Sequence, residues 1–344
     1  MLKKRALLVT CITLSMLLIA AFGGCGSPAD EPAAPSEPTD QVPVGETVTL
    51  RMATAWAETV AWNDAFWMFV EKIEEKSDGR VNFQYAGGPE AFPPFEMIEA
   101  VTNGVVDIVS TAGAYYVPQV PEADAIKLSQ LAPWEERENG AYDLFNQLHM
   151  ERANAFYLGR VTPHVPYHLY TNEPIDSADL SGHTVRVTPI YRAFVEALGG
   201  STTTTAPGEV YTALERGMVE TYGWPGIGIG DFGWEEVTDY VIDPGFYQVD
   251  VNILLNLDAW NALPEDIKEL FEETIREVER EAYDHYTDRL VADRQYLLES
   301  GIEVIELSGA ERDKYLEKAY EAGWELVIQS SPEYGPQLQE LLSR

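Results

Sequence analysis

The sequence has little cysteine, little histidine and few basic residues. Its 344 residues include 2 cysteines and 5 histidines, and its 57 acidic residues exceed its 23 lysines and arginines, for a formal net charge of −34. If Cys11 is removed with an N-terminal segment, only Cys25 remains, and a single cysteine forms neither an internal disulfide nor a cysteine-based metal cluster. The acidic charge argues against DNA, RNA and anionic membranes as partners, and we interpret it as a solvated surface.

Motifs for catalysis and zinc binding are also missing. The sequence contains neither the H-E-x-x-H zinc motif nor the G-x-S-x-G nucleophile elbow. His164 and His168 are four residues apart, but the prolines at 163 and 166 argue against a helix that would align them. Carboxylates are so abundant that a pair of them is more readily explained as surface than as an acid–base site. Catalysis and zinc binding therefore have no clear support in the sequence.

One glycine-rich stretch, residues 228–233, matches the G-x-G-x-x-G pattern of dinucleotide-binding folds. That interpretation requires a preceding strand and a following helix, whereas turn residues at 224–226 come before it. Asp231, Glu235 and Glu236 would also repel a pyrophosphate. We therefore expect a glycine-rich loop beside a cleft.

The first residues have the pattern of an export signal. Residues 1–5 are basic, residues 6–22 are apolar, and two glycines and Cys25 follow. This pattern predicts a lipoprotein signal peptide over residues 1–24, with Cys25 as the lipidated residue. A true membrane helix is the alternative, but the apolar run is short for a span. Residues 25–46 are rich in proline, alanine and acid, which predicts a disordered tether.

The folded part begins with alternating strand and helix patterns. Strands are predicted at 48–54, 81–85 and 105–110, with helices at 59–77 and 95–103 between them. A β-α-β-α-β order of this kind indicates a parallel sheet with helices on its faces.

The alternation restarts near residue 165, after a helical middle section, which indicates a second α/β unit. A helical pattern over 264–299 would be about 54 Å long at about 1.5 Å per residue, longer than one small unit, so this helix either runs along both units or breaks. Two units joined by several crossings predict a cleft between them, where ligand sites are common. The other predicted elements are strands at 160–170, 184–188, 218–222, 250–257 and 302–306, and helices at 191–198, 209–216 and 309–330.

Arg186 lies in the middle of the β-branched strand predicted at 184–188. Strands of a parallel sheet are usually buried on both faces, and a buried guanidinium without a partner is very unfavourable. Arg186 therefore needs either a structural acid, such as Glu209, or a ligand anion. Near the C-terminal end of its strand it would face the crevice where open α/β sheets bind ligands, and a guanidinium can bind a carboxylate through two parallel hydrogen bonds. The residues alone leave both interpretations open.

Several aromatic residues follow predicted strands. Trp56 follows the first strand, Tyr115 and Tyr116 follow the third, and Trp224 follows the strand at 218–222. Aromatic walls with one arginine are typical of a pocket for a small organic acid. Core packing is the alternative for each aromatic residue, and we prefer it for those on predicted helices, which are Trp62, Trp67 and Trp260.

Residues 179–225 and 74–109 resemble the extracytoplasmic solute-binding proteins of tripartite ATP-independent periplasmic (TRAP) transporters, the DctP family. The similar elements of the first segment are D-L-x-G-x-x-x-R-V, the A-L-G-G helix end and E-V-Y-x-A-L-x-x-G-x-V. The second segment reads EEKSDGRVNFQYAGGPEAFPPFEMIEAVTNGVVDIV. The likeness extends over roughly residues 47–330.

This resemblance implies a two-lobed, periplasmic-binding-protein-like α/β fold with mixed sheets, helices on both faces and a long helix spanning both lobes. Lobe I would comprise residues 47–166 and 253–290, and lobe II residues 167–252 and 291–344. The protein would be no enzyme but a high-affinity receptor, exported and lipid-anchored at the cell envelope. It would capture a small organic acid anion and deliver it to TRAP membrane subunits. A secreted α/β enzyme that acts on an organic acid through a carboxylate base is the alternative.

The resemblance also implies roles for single residues. In the family the arginine of the R-V strand pairs with the substrate carboxylate, which corresponds to Arg186, and Glu209 opens the E-V-Y helix near the same site. Tyr167 lies where sialate-type members carry a second arginine, and Trp224 stands where they carry asparagine, so we favour a monocarboxylate with an apolar or aromatic body. Some keto-acid binders with a tryptophan here hold the carboxylate through a metal ion, so a bridging cation is an alternative, and no other cofactor is expected. The residues expected to contact the ligand are Arg186, Trp224, Glu209, Trp56, Tyr115 and Tyr167.

Overall fold

The computed structural model describes residues 47–175 and 177–344. The predicted signal peptide at 1–24, the predicted lipidation site Cys25 and the predicted tether at 25–46 lie outside the described residues. In the described part, no helix is both long and apolar enough to cross a lipid bilayer.

Strands and helices alternate along most of the described chain. The strands, β1 to β11 in chain order, are Val48–Thr54, Val81–Gly87, Ile108–Ala112, Ala155–Arg160, Tyr167–Thr171, Thr184–Val187, Ser201–Thr204, Thr221–Pro225, Tyr240–Phe246, Val251–Asn256 and Glu303–Glu306. The α-helices, α1 to α10, are Asp64–Lys76, Met97–Thr102, Pro133–Asn139, Ala141–Ala153, Arg192–Ala197, Val210–Glu215, Leu257–Ala262, Glu265–Glu299, Gly309–Ser330 and Gly335–Leu342.

The first sheet has the strand order β2-β1-β3-β10-β4. β1 pairs in parallel with β2 and β3, and α1 and α2 connect these strands, as the alternating pattern predicts. β10 runs antiparallel to both β3 and β4, so the sheet as a whole is mixed. Phe66, Phe69 and Ile73 of α1 are fully buried, which explains the apolar spacing in this segment.

The second sheet has the strand order β11-β9-β5-β8-β6-β7. β6 lies between β7 and β8 and is parallel to both, whereas β5 is antiparallel to β8 and β9. A helix-flanked strand in this position is buried on both faces, and Val185 and Val187 of β6 are fully inaccessible. β6 is the strand that carries Arg186.

Within the described residues the chain passes between the two sheets at three places. Residues 161–166 lead from β4 to β5, residues 247–250 lead from β9 to β10, and α8 precedes β11. The first two crossings lie side by side, because Val249 N donates to Val165 O at 2.8 Å. Two sheets joined in this way form the two-lobed α/β fold that the family resemblance implies.

α8 is a continuous helix of 35 residues, about 52 Å long. Near its N-terminus, the Phe271 ring packs against the Phe69 ring of α1 at 5.3 Å. Near its C-terminus, Arg294 forms an ion pair with Asp243 of β9. The helix is therefore unbroken. It contacts α1, which connects two strands of the first sheet, and β9 of the second sheet, so it runs along both units as the first of the two predicted alternatives states.

Some predicted boundaries are wrong. The third strand begins at Ile108 rather than 105, because the Asp107 carboxylate turns back to accept a hydrogen bond from Arg51 N at 2.7 Å. The strand predicted at 218–222 is shifted to 221–225, because Met218 N still closes the end of α6 on Ala213 O at 2.9 Å. The segment predicted as one strand at 160–170 contains the end of β4, a crossing and β5.

Candidate functional site

Arg186 is completely buried in β6 and makes hydrogen bonds only to neutral groups. Its Nη2 donates to Thr205 O at 2.6 Å, and its Nε donates to Thr205 Oγ1 at 3.3 Å. Its Nη1 donates to the Tyr191 hydroxyl at 3.2 Å. These bonds use three of the five N–H groups of the guanidinium, so two remain available.

The buried charge of Arg186 has no carboxylate beside it in the described part of the chain, where no acidic oxygen lies within 4.0 Å of its nitrogens. Glu209, one of the two partners considered from the sequence, is exposed. Its Oε2 instead accepts a hydrogen bond from Ala206 N at 3.2 Å and caps the 3₁₀ turn of residues 207–209 that precedes α6. The structural ion pair between Arg186 and Glu209 that the sequence left open is therefore not formed.

Tyr191 holds the guanidinium in place from the turn after β6. Its hydroxyl donates to Gly223 O, and its oxygen accepts from Arg186. This contact requires glycine at 223, because a Cβ there would lie 2.3 Å from the Tyr191 ring. The Tyr191 hydroxyl thus connects Arg186 of β6 to Gly223 of β8, the residue before Trp224. The Arg186 guanidinium carbon lies 5.9 Å from the Trp224 ring centroid.

A small cavity lies between the two sheets, next to this arginine. In this conformation its volume is about 20 Å³, which is enough for a water molecule and well below the range for small-molecule sites. Arg186 lies directly behind its surface, in contact with lining residues. Those residues are Trp56, Trp62, Ala112, Tyr115, Tyr167, Thr188, Ile190, Tyr191, Trp224, Pro225, Val249 and Val251.

Four aromatic residues predicted from the sequence are brought together in this cavity. Trp56 and Tyr115 come from the first sheet and pack with ring centroids 5.8 Å apart. Tyr167 begins β5, and Trp224 lies within β8 rather than after it. Glu209 is absent from the cavity; it lines a separate depression on the surface with Thr205, Gly208, Thr212, Ala213 and Met218.

Trp62 lines the cavity, although the sequence predicts core packing for it. The helix predicted from residue 59 begins only at Asp64, and residues 61–63 form a 3₁₀ turn after β1. The Trp62 ring stacks on Tyr286 of α8 at 6.3 Å and meets the Trp224 ring edge-on at 6.3 Å. Trp62 lies in the segment that follows β1, which is the one feature of the sequence that indicates the site. The apolar spacing from residue 61 onward predicted a helix instead, and so the residue was interpreted as core.

Three further residues at the site were not predicted from the sequence: Tyr191, Thr188 and Asp250. Tyr191 and Thr188 follow the arginine strand directly, so the strand-end rule used for Trp56 would have found them. Asp250 lies between the lining residues Val249 and Val251, and its Oδ2 accepts from Ala114 N at 3.1 Å. No local pattern marks Asp250, because the crossing at 247–250 is what buries it.

Burial controls the titration of the groups around the cavity. Burial raises the pKa of Asp250 to about 6, and the hydrogen bond from Ala114 N partly offsets this rise. Burial also raises the pKa of Tyr167 well above its usual value, and the neighbouring Asp250 raises it further. The pKa of Tyr115 is likewise raised by burial, although the Arg186 charge lowers it in part. At neutral pH the phenols are therefore uncharged, and Arg186 is the cation next to the cavity.

Several polar atoms of the cavity wall have no hydrogen-bond partner among the described residues. They are Nε1 of Trp56, Nε1 of Trp62, Nε1 of Trp224 and Oγ1 of Thr188, and all four residues are at most 4% exposed. Unpaired buried donors are unfavourable unless water or a ligand satisfies them. The wall therefore has hydrogen-bonding capacity for a polar ligand in addition to its aromatic surface.

Side chains that commonly bind metals do not cluster in this part of the molecule. Across residues 47–175 and 177–344, no group of three or more His, Cys, Asp or Glu side chains is arranged to hold a metal ion. A cation at the ligand carboxylate therefore stays a hypothesis.

Two mixed sheets with a small aromatic cavity between them, and a buried arginine of the second sheet behind its wall, are the arrangement of a two-lobed α/β solute-binding protein. Residues 52–327 match the family described as bacterial extracellular solute-binding protein, family 7 (DctP), and the chain belongs to this family. The resemblance to TRAP extracytoplasmic solute-binding proteins is thus confirmed. Members of this class are transport receptors and not enzymes.

Relatives and solved structures give the same result. A monocarboxylate 2-oxoacid-binding periplasmic protein of Nostoc sp. is 22% identical to this chain over 241 residues. The matched region is 65% of this chain and 64% of the relative, so the chain spans just under two thirds of that relative's length. A TRAP solute-binding protein of Desulfovibrio salexigens with bound orotic acid has a TM-score of 0.76 at 20% identity, over 86% of this chain and 97% of the other. A Bordetella pertussis extracytoplasmic solute receptor that binds pyroglutamic acid has a TM-score of 0.75 at 16% identity, over 87% and 100%. At these identities the structural likeness establishes the fold.

Proposed function

We propose that this protein captures a small organic acid anion and delivers it to TRAP membrane subunits, and that Arg186 binds the ligand carboxylate. The observation that carries the proposal is the completely buried Arg186 guanidinium beside an aromatic cavity, which has two spare N–H groups and no neighbouring carboxylate among residues 47–175 and 177–344. A buried charge of this kind is compensated when a ligand supplies the anion. A planar guanidinium suits a carboxylate because the two groups can form parallel hydrogen bonds.

The ligand class that fits best is a monocarboxylate with an apolar or aromatic body. Among the described residues no arginine or lysine lines the cavity itself, and Arg186 contacts the lining residues Tyr191 and Trp224, so one carboxylate is matched and a second would be unpaired. Trp56, Trp62 and Trp224 offer flat apolar surface to the rest of the ligand. The relatives that bind a 2-oxoacid, orotic acid and pyroglutamic acid are consistent with a small acid.

A thermal-shift screen of organic acids tests this proposal. A ligand that binds the native state alone stabilises it by about 4 kcal/mol at a thousandfold excess over Kd. We expect the largest shifts from cyclic and aromatic monocarboxylates, and smaller shifts from dicarboxylates of similar size. Isothermal titration calorimetry then gives Kd, and NMR of the recovered ligand checks that it is unchanged. A screen without any stabilising acid, or with dicarboxylates ranked first, would contradict the proposed ligand class.

We further propose that the two lobes close around the ligand. The crossings at 161–166 and 247–250 and the helix α8 support lobes built from residues 47–166 with 253–290 and from residues 167–252 with 291–344. Because β10 begins at Val251, the boundary after residue 252 is better placed within the crossing at 247–250. Small-angle scattering with and without ligand is expected to show a smaller radius of gyration in the bound state.

A bridging cation, the alternative implied by keto-acid binders, can be tested on the same protein. Direct recognition by Arg186 predicts that Kd is unchanged after removal of divalent metals with EDTA and dialysis. A loss of affinity that calcium or another divalent cation restores would instead support a metal-bridged carboxylate.

We also propose that the mature protein is anchored to the cell envelope through a lipid on Cys25. The support is the sequence pattern of residues 1–24 and the proline-rich, acidic tether at 25–46. Expression of the whole chain in a bacterial host, followed by mass spectrometry of the N-terminal peptide, is expected to show diacylglyceryl modification. Cys25→Ser is expected to release the protein from the membrane fraction, and retention there would contradict the anchor.

A further inference from the structure

The glycine-rich loop of residues 226–233 follows β8 and lies against the tryptophan side of the cavity. Gly228 has a φ of +88°, a conformation that side chains rarely adopt. A Cβ at Gly228 would lie 3.5 Å from Trp62 Nε1 and 3.6 Å from Trp224 Nε1. The loop therefore packs directly behind two residues that form the cavity wall.

Asp231 in this loop connects two other parts of the molecule. Its Oδ2 accepts a hydrogen bond from Ala61 N at 3.2 Å, in the turn after β1 of the first sheet. Its Oδ1 accepts from Nη2 of Arg289 in α8 at 2.7 Å. One carboxylate thus joins the loop of the second sheet to the first sheet and to the long helix.

Arg289 is itself fixed by a second acid that reaches the same loop. Its Nε donates to Asp293 Oδ1 at 2.5 Å, and Gly228 N donates to Asp293 Oδ2 at 2.7 Å. The loop is therefore held to α8 both at Gly228 and at Asp231. Through the hydrogen bond from Ala61 N, Asp231 also holds the loop to the turn that follows β1 of the first sheet.

The Ala61 turn carries Trp62, so its position decides whether this wall of the cavity is closed. Ala61 O accepts from the Tyr286 hydroxyl of α8 at 2.9 Å, and the Trp62 ring stacks on Tyr286. Trp62 meets Trp224 edge-on from the other lobe. Separation of the turn and the loop would therefore open this wall of the cavity.

We propose that Asp231 is a positioning residue that latches the loop to the Ala61 turn and thereby sets the lifetime of the ligand-bound state. This inference rests on the proposed function, because it concerns retention of the ligand. The Asp231 side chain is 21% exposed and that of Arg289 is 31% exposed, so the latch can break and re-form as the lobes move, and salt screens it. Asp231 touches no lining surface itself, and its effect falls on dissociation rather than on ligand selectivity.

The test compares dissociation and association rates of wild type, Asp231→Ala and Asp231→Asn with the best acid from the screen, measured by stopped-flow tryptophan fluorescence. We expect the dissociation rate to rise about tenfold in Asp231→Ala, the size expected when one hydrogen bond to a charged group is lost at a partly exposed site. The association rate should change less than twofold. High salt should accelerate dissociation from wild type more than from Asp231→Asn.

Lys72→Ala is the matched control. Lys72 of α1 pairs with Glu281 of α8 at 2.9 Å, so this variant removes another ion pair to the same helix away from the loop. It should leave both rates within twofold of wild type. Equal dissociation rates in wild type and Asp231→Ala would overturn the latch while leaving the proposed function intact.

A measurement without ligand keeps the two hypotheses separate. Hydrogen exchange of the peptide containing Ala61 and Trp62 should be faster in ligand-free Asp231→Ala than in wild type, and Lys72→Ala should not change it. If no acid binds wild type, the proposed function fails, and unchanged exchange in this peptide would overturn the latch as well.

Discussion

Nη1 of Arg186 donates a hydrogen bond to the hydroxyl oxygen of Tyr191 at 3.2 Å, and that hydroxyl donates its hydrogen to Gly223 O. Tyr191 therefore accepts from the arginine and has no hydrogen left for a ligand carboxylate. The N–H groups that remain for a carboxylate are the two spare ones of Arg186 and the unpaired indole N–H groups of the cavity wall. The cavity thus has a fixed cationic end, and its selectivity for the remainder of the ligand depends on the tryptophans and tyrosines.

Trp62→Phe should weaken ligand binding about tenfold. The change removes the unpaired indole N–H and part of the flat surface that meets Trp224, and about 1.4 kcal/mol corresponds to a factor of ten in Kd. Titration calorimetry measures the effect. Trp260→Phe is the control, because the Trp260 ring stacks on Phe156 at 3.9 Å and does not line the cavity. That variant should lower the melting temperature and leave Kd within twofold, and equal losses of affinity in both variants would refute the role of Trp62.

Asp250→Asn should change how stability depends on pH. The pKa of Asp250 is raised to about 6, so the folded state binds this proton more tightly than the unfolded chain does. The resulting stabilisation is complete below the unfolded pKa near 4 and is lost as pH rises through about 6. The amide variant does not titrate, so its free energy of unfolding relative to wild type should rise by about 3 kcal/mol between pH 3.5 and 7.5, at about 1.36 kcal/mol per pKa unit.

Urea denaturation at several pH values measures this difference. The comparison with wild type removes the effects of other groups, such as His149, whose pKa burial lowers to about 4. A difference that stays constant across this range would show that Asp250 ionises normally in the folded protein.

Glu209→Ala should leave the affinity for the ligand within twofold of wild type. Glu209 is exposed, and its Oε2 caps the 3₁₀ turn of residues 207–209 through Ala206 N and does not line the cavity. We expect a loss of about 1 kcal/mol in the free energy of unfolding, the usual effect of removing a helix cap. Calorimetry and urea denaturation check the two outcomes. A tenfold loss of affinity would restore the role for Glu209 that the family resemblance implied.

Part of the site could be predicted from the sequence because it follows from strand geometry. Arg186 interrupts a β-branched strand, and Trp56 and Tyr115 come just after strands, so all three belong at a sheet edge where ligands bind. Trp224 was also correctly predicted to line the cavity, although its strand was predicted to begin at residue 218 and begins at Thr221. The alternating strand and helix patterns likewise predicted that the first three strands are parallel, but not that β10 and β4 complete a mixed sheet.

The remaining part depends on contacts between distant segments. Trp62 reaches the cavity because its turn is held by Tyr286 of α8, and Asp250 is buried because the crossing at 247–250 lies beside the one at 161–166. Neither contact leaves a periodic signal in the sequence. Asp231 shows the same limit, since its carboxylate has a role only once Ala61 and Arg289 are brought to either side of it.

The most direct test of the central claim is the affinity of Arg186→Ala for the best acid from the screen, with Arg186→Lys beside it. Truncating one partner of a buried, hydrogen-bonded charge pair costs about 2–5 kcal/mol, so we expect Kd to rise at least about thirtyfold in Arg186→Ala. Arg186→Lys should fall between this variant and wild type, because an ammonium keeps the charge but not the paired donors. Both folded proteins should retain their near-UV circular dichroism. An unchanged Kd in Arg186→Ala would contradict the account, because the ligand carboxylate would then be held elsewhere.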